Sequence, residues 1–477
     1  MTRRLCVLFC LLCAPGFSPV PACAQNLPPV VAKALRSVRI PDTAVAVAVH
    51  ALDSGGRPAR ASHNARVGMN PASAMKLLTT YAALEILGPT HTWRTTVWLD
   101  HPPEPDGRLR GNLYLKGGGD PKLVLESFWL LLRQLRTHGV QHIEGDLVLD
   151  RSVFVAPPHD PATFDKRPLR AYNVGPDGLL LDFHALRFTL TPENGGIGVR
   201  QETPLAGLAL ETRLTPVRGG CDGWRDRLNM RYIPGSASNS DRFILDGPYP
   251  LACGRQTLAL ALLPADRHAE GIFRALWREL GGTLRGHVRS GAVPPGAALL
   301  TQQDSPTVAE IIRDVNKWSN NVMARQVFLA LGNDPTARTE EKSRRRIVDW
   351  LRQKGLDFPE LVVENGAGLS RRARISAENL TRLLVAAWQS PFMPEFVASL
   401  PIAGIDGTMQ TRLRQTLAQG RARVKTGTLD GVKAAAGYVQ DTYGQRYAVS
   451  FLINHPRAAV GGPAIDALLL WVTQGCP

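Results

Sequence analysis

The chain has 477 residues, with 44% hydrophobic and 20% charged residues. That balance suits a globular protein and excludes disordered, collagen-like and membrane-bundle classes; at about 150 residues per domain the length suggests roughly three domains. The formal net charge of +15 calls for anionic surroundings, yet there is no zinc-finger spacing, no basic region joined to heptads and no RNP-type motif, so nucleic acid is not the expected partner.

Residues 1–24 read as a leader. Arg3 and Arg4 form a basic n-region, Leu5 to Ala14 is a short apolar run, and Ala22-Cys23-Ala24 is a small-x-small cleavage signal. Lipid processing at Cys23 is the rival reading. Export lowers the charge to +13 and leaves Cys221, Cys253 and Cys476 of the seven cysteines. An oxidising compartment permits a disulfide. Cys221 and Cys253 lie in a Gly/Pro-rich, β-like stretch and are the expected pair, worth roughly 3 kcal/mol in the chain-entropy model. The alternative is three free thiols.

Residues 25 to about 90 start with a short helix and a strand over residues 43–50, then a polar turn, Asp53 to Gly56. An apolar helix follows from Pro71 to Leu87, stopped by Gly88-Pro89. From about 90 to 300 the pattern is mostly β. Short runs at 112–116, 145–150, 188–191 and 257–263 are separated by Gly, Pro and Asp, with one amphipathic helix near 123–138. After about 303 helices return. Ser305-Pro306 reads as N-cap and N1, with a break near Trp318 to Asn321 and a resumption to Leu331. A hairpin over residues 434–439 and 446–453 and a helix over 463–474 close the chain. Arg344-Arg345-Arg346 reads as a solvated helix face.

Three short motifs occur in order: Ser73-Ala-Met-Lys76, Ser319-Asn-Asn321 and Lys425-Thr-Gly427. Each is weak alone. Ser73 could simply cap its helix, Asn321 fill a break, and Lys425 end a strand. Together they make a nucleophilic site. Ser73 and Lys76, three apart, share a helix face. Unpaired N–H groups of the first turn suit a developing oxyanion. A serine hydroxyl needs a base, and desolvation plus a nearby cation would supply one by favouring neutral Lys76. Lys425 is such a cation, Ser319 a proton relay, and Asn321 a hold on Lys76 and a substrate amide. Lys425 and Thr426 suit a substrate carboxylate, and Gly427 lets a ligand approach the strand. Ser62-His-Asn64 precedes Ser73 and is a decoy. There is no G-x-S-x-G elbow, no H-E-x-x-H helix and no complete P-loop, and the eleven His show no metal-ligand spacing. No metal or other cofactor is expected.

At these residues the chain resembles the penicillin-binding serine D-alanyl-D-alanine peptidases, in particular the class C group with an insertion between the first two motifs. The 246 residues from Ser73 to Ser319 fit that insertion. Further similar segments are Tyr114 to Pro121, Gly145 to Asp150, Asn365 to Arg371, Leu400 to Gly407 and Val424 to Gly431. The resemblance implies an α/β (α+β) fold: a β-lactamase/transpeptidase-like domain, its antiparallel sheet flanked by helices, made of residues 25–92 and 303–477. Residues 93–302 would form a β-rich insertion of two small domains. It implies hydrolysis of stem peptides and D-Ala crosslinks of peptidoglycan in the periplasm, and inhibition by β-lactams. Ser73 would carry the acyl group and Lys76 would be the base. The backbone N–H groups of Ser73 and Thr428 would hold the oxyanion. Arg371 matches an arginine after Gly-x-Gly-Leu-Ser. Asp182 matches either an insertion aspartate that meets a substrate amine or an ordinary loop carboxylate. Asp430 and Asn320 depart from the Gln and Asp common there. Homodimer formation and peripheral membrane association stay open. A β-lactamase or other small-ester hydrolase on the same fold and a non-catalytic peptidoglycan-binding module are the alternatives.

Overall fold

The computed structural model describes residues 27–52, 60–155, 159–235, 240–332 and 339–475. The leader, Cys23, the turn at residues 53–56 and Cys476 lie outside them. A five-stranded antiparallel sheet is ordered Ala422–Leu429, Val432–Gln440, Arg446–Asn454, Val45–Ala51, Ala61–His63. Its strands are apolar on both faces because both faces are covered. Val45, Val47 and Val49 pack with helices Pro29–Ser37 and Gly462–Gln474. Ala46 and Ala48 point the other way, into the larger core containing helices Lys76–Ile86, Val308–Lys317, Asn321–Ala330 and Ala377–Trp388. The Ala/Val alternation thus gives one face small side chains, against which helix Ala377–Trp388 packs closely.

Strands Arg94–Leu99 and Ala298–Asp304 pair antiparallel, so the chain leaves and re-enters this body side by side. Between them lie two further cores. One joins a second five-stranded sheet to helices Leu125–Thr137 and Ala265–Glu279. The other lies between two three-stranded sheets and includes Cys253, with Cys221 packed at its edge. Among the described residues no helix is long and apolar enough to cross a membrane.

Three expectations change. The β-rich stretch contains a second helix, Ala265–Glu279, whose Ala269, Ile272, Phe273, Leu276 and Trp277 make one buried stripe. Ser305 is not an N-cap; its Oγ accepts from Trp93 N–H and donates to Pro306 O. The helix starts at Val308, where Thr307 and Glu310 form a capping box. The first turn of the 71–87 helix is 3₁₀, over Ala72–Met75, and the α-helix begins at Lys76.

Cys221 and Cys253 are bonded, with Cα atoms 4.9 Å apart. Thiol labelling of denatured, unreduced protein should leave both unreactive; labelling of either contradicts the bridge.

Candidate active site

The three motifs meet at one edge of the main sheet. Ser73 sits in the 3₁₀ turn, where side chains at i and i+3 nearly eclipse. Lys76 Nζ therefore donates to Ser73 Oγ at 3.0 Å. It also donates to Asn321 Oδ1 at 2.6 Å and to Ala367 O at 2.5 Å. Lys425 Nζ donates to Ser319 Oγ at 2.8 Å and to Thr426 O at 2.7 Å. Both lysines are fully buried. Among the described residues neither has a carboxylate partner.

The cost of burying two amines without a counter-charge falls on their protonated forms. Desolvation lowers the Lys76 pKa well below its usual value, and the charges of Lys425 and Arg325 lower it further. Desolvation brings Lys425 down to about 7. Lys76 is thus poised as a base, and Lys425 is poised near neutrality.

Asn320 caps helix Asn321–Ala330, its side chain accepting from Met323 N–H at 3.0 Å. Ser319 is held just outside that helix at φ 57°. Ser62, by contrast, lies on the strand at the opposite edge of the sheet. Gly427 serves the turn that carries Ser73: a Cβ there would lie 2.6 Å from Pro71 O and 3.1 Å from Ser73 N. The strand with Lys425 and the turn with Ser73 can meet only across a hydrogen atom. Gly368, at φ 73°, plays the same part against Ala72 O and so brings Ala367 O to Lys76.

A cleft of about 790 Å³ opens over these residues, lined by Ser73, Ser319, Asn321, Thr428 and Arg371 together with Asp165. Thr426 Oγ1 donates to Thr408 Oγ1 at 2.8 Å. Arg371 donates to Asp430 O at 2.8 Å and stacks 4.8 Å from the Phe164 ring, closing the cleft between the main body and the insertion. Asp182 does not line that cleft but lies beside it. It lines a smaller cavity of about 300 Å³, with Phe183 and Arg187, that shares Tyr172, Trp318, Ser319 and Asn321 with the cleft. There burial pushes its pKa up to about 6, against the Arg187 charge.

Three participants carried no local signal. Asp165 stands in the cleft wall, accepting from Tyr172 Oη at 2.7 Å and Asn173 Nδ2 at 2.8 Å. Arg325 is a buried cation that donates to Val174 O of the insertion. Lys317, next to Trp318, binds Asp406 Oδ2 and Leu400 O, each at 2.6 Å, and so anchors the 400–407 segment beneath the cleft.

A serine bonded to a buried amine, with a second serine–amine pair facing it across one cleft, defines an active-site serine acyl-transfer enzyme. The profile of the D-Ala-D-Ala carboxypeptidase 3 (S13) family matches residues 28–474, and the chain belongs to that family. It is 29% identical over 442 residues to the D-alanyl-D-alanine carboxypeptidase of Actinomadura sp. (strain R39), covering 87% of this chain and 77% of the relative. It is 25% identical over 399 residues to D-alanyl-D-alanine carboxypeptidase DacB of Haemophilus influenzae, covering 83% and 82%. The crystal structure of penicillin binding protein 4 from H. influenzae superposes with a TM-score of 0.73 at 22% identity, covering 92% of this chain and 99% of that one. A predatory peptidoglycan endopeptidase of Bdellovibrio bacteriovorus superposes at 0.54 and 14% identity, covering 91% and 93%. The β-lactamase/transpeptidase-like fold with its insertion is thereby shared.

Two predictions follow from the buried pair and the glycine contact. The kcat/KM profile for acylation should be bell-shaped, because it reports groups of the free enzyme. Protonation of Lys76 gives the acid limb, and loss of the Lys425 charge gives the alkaline limb, beginning near pH 7. Lys425→Arg, which cannot titrate in range, should lower the rate but remove the alkaline limb; persistence of that limb contradicts the assignment. Gly427→Ala should slow labelling by fluorescent penicillin at least about tenfold by displacing Ser73, and should also lower Tm because its Cβ would meet the Pro71 carbonyl. Normal labelling of that variant would show that the contact does not position Ser73.

Proposed function

We propose that this chain is a periplasmic serine D-alanyl-D-alanine carboxypeptidase and endopeptidase of peptidoglycan. The observation that carries the reading is the Ser73–Lys76–Asn321 and Ser319–Lys425 arrangement in one cleft. Neutral Lys76 takes the Ser73 proton as Oγ attacks the carbonyl of the penultimate D-Ala. The oxyanion lies between the N–H groups of Ser73 and Thr428. The edge position of strand Ala422–Leu429 supports this, because an edge leaves backbone groups unpaired.

Ser319 relays the proton that Lys76 took up to the leaving nitrogen, so Lys76 is neutral again when water enters. D-alanine departs from a stem peptide, or the second strand departs from a crosslink. Water, activated by Lys76, then cleaves the Ser73 ester. Lys425 and Thr426 receive the terminal carboxylate, which restores charge to Lys425 as substrate binds. Penicillins acylate Ser73 by the same attack. The amine-bearing side chain of the stem peptide is assigned to Asp165, which shares the Ser73 cleft, rather than to Asp182, which does not line it. Cleavage of the leader at residue 24, domain limits at 92 and 302, and the Cys221–Cys253 bridge are consistent parts of this exported enzyme.

Muropeptides incubated with the protein should lose D-Ala or split at crosslinks, as read by mass spectrometry. Ser73→Ala should abolish both products. Asp165→Asn should raise KM for substrates with a free side-chain amine by about tenfold, the scale of one partly exposed hydrogen bond to a charged group, and leave penicillin acylation alone. Rapid penicillin turnover without D-Ala release would instead favour a β-lactamase.

A further inference from the structure

A second large cavity lies in the insertion. It measures about 810 Å³, and its lining includes Arg167, Arg170, Arg225 and Arg231 against two carboxylates, Asp226 and Asp246. Asp226 is already engaged by Arg170 at 2.7 Å and Arg167 at 3.3 Å. Asp246 accepts from Asn229 Nδ2 at 2.8 Å. Arg225 and Arg231 have no carboxylate within ion-pair distance among the described residues. Arg225 is nonetheless fixed: it packs 5.2 Å from the Trp224 ring and donates to Thr257 O at 3.1 Å. Burial and the neighbouring Arg170 charge both press against its protonated state, while the Asp226 charge partly offsets them. A rigid guanidinium with excess positive charge around it is a prepared place for an anion.

The cavity neighbours the Ser73 cleft. Arg167 lines both it and the Ser73 cleft, two residues beyond Asp165 in the same wall. A strand lying with its reactive end at Ser73 and its amine at Asp165 would therefore leave the cleft past Arg167 into the arginine cavity. We propose that this cavity is an exosite for the free carboxylates of peptidoglycan stem peptides, with Arg225 and Arg231 as the receiving cations. This rests on the peptidoglycan reading above and adds a preference for anionic over amidated strands.

The discriminating pair of substrates is a crosslinked muropeptide with its glutamate α-carboxyl free and the same muropeptide amidated there. Wild-type protein should favour the free acid by about tenfold in kcat/KM at low salt, and the preference should fade in about 0.5 M NaCl. The double variant Arg225→Gln/Arg231→Gln should abolish the preference. Because Arg225 also supports Thr257, the exposed Arg231→Gln alone provides a second check and should reduce the preference about threefold, with Arg231→Lys retaining most of it. Benzylpenicillin, too small to reach the exosite, should acylate all of them equally. Equal use of both muropeptides by the wild type, or a preference that survives the double variant, overturns the exosite. A wild type that benzylpenicillin acylates but that cleaves neither muropeptide overturns the substrate reading itself.

Discussion

Two lysines buried with no carboxylate partner among the described residues set the terms for the rest of this molecule. An amine taken out of water costs several kcal/mol if it keeps its proton. Here each is given neutral acceptors only: Ser73, Asn321 and Ala367 O for Lys76, Ser319 and Thr426 O for Lys425. Three donations from Lys76 need its ammonium form; the neutral amine keeps N–H bonds to Asn321 Oδ1 and Ala367 O and turns its lone pair to the Ser73 hydroxyl. The arrangement is held from four directions, by the 3₁₀ turn, the helix cap at Asn320, the 365–371 segment and the edge strand. None of the four can shift without stranding a polar group that water does not reach.

The insertion enters this balance through helix Asn321–Ala330. That helix begins at the Ser319 turn and is buried from Val322 to Ala330. It meets the insertion with polar contacts: Arg325 to Val174 O, and Gln326 to the backbone of Asp177 at 3.0 and 2.7 Å. Lys122 of the insertion also reaches Asp314 at 2.6 Å. Docking the insertion therefore buries Arg325, and the Arg325 charge is one cause of the lowered Lys76 pKa. The added domains shape the cleft wall through Phe164 and Asp165 and also bear on the base.

The sequence made the chemistry more legible than the scaffold. The three motifs needed only order and residue type, and the alternating Val45–Ala51 strand needed only a period of two. Helix Ala265–Glu279 had a clear 3.6-residue stripe, but the surrounding Gly/Pro-rich pattern drew the reading towards strand. Thr307-x-x-Glu310 is a capping box in plain view, displaced by the attraction of Ser305-Pro306. Asp165, Arg325 and the Lys317–Asp406 pair were illegible for a different reason. Their significance lies in separations of 89 to 151 residues or in a cleft wall, and no local pattern records it.

Backbone conformation shows what such an assembly has to withstand. Ala72 and Ser319, each beside or within the catalytic set, have φ values of 47° and 57°. Side chains with a Cβ adopt that region at a cost of about 1–3 kcal/mol unless their surroundings compel it. Glycine would remove the strain at Ser319 and with it the hydroxyl that Lys425 holds. A β-branched residue would keep an oxygen, as Thr, but worsen the crowding. Serine is the residue that combines a hydroxyl with a tolerable left-handed backbone, so the strain at 319 is intrinsic to placing a proton relay at the mouth of a capped helix. The rigidity that keeps Lys76 neutral and Lys425 near neutrality is what sustains it.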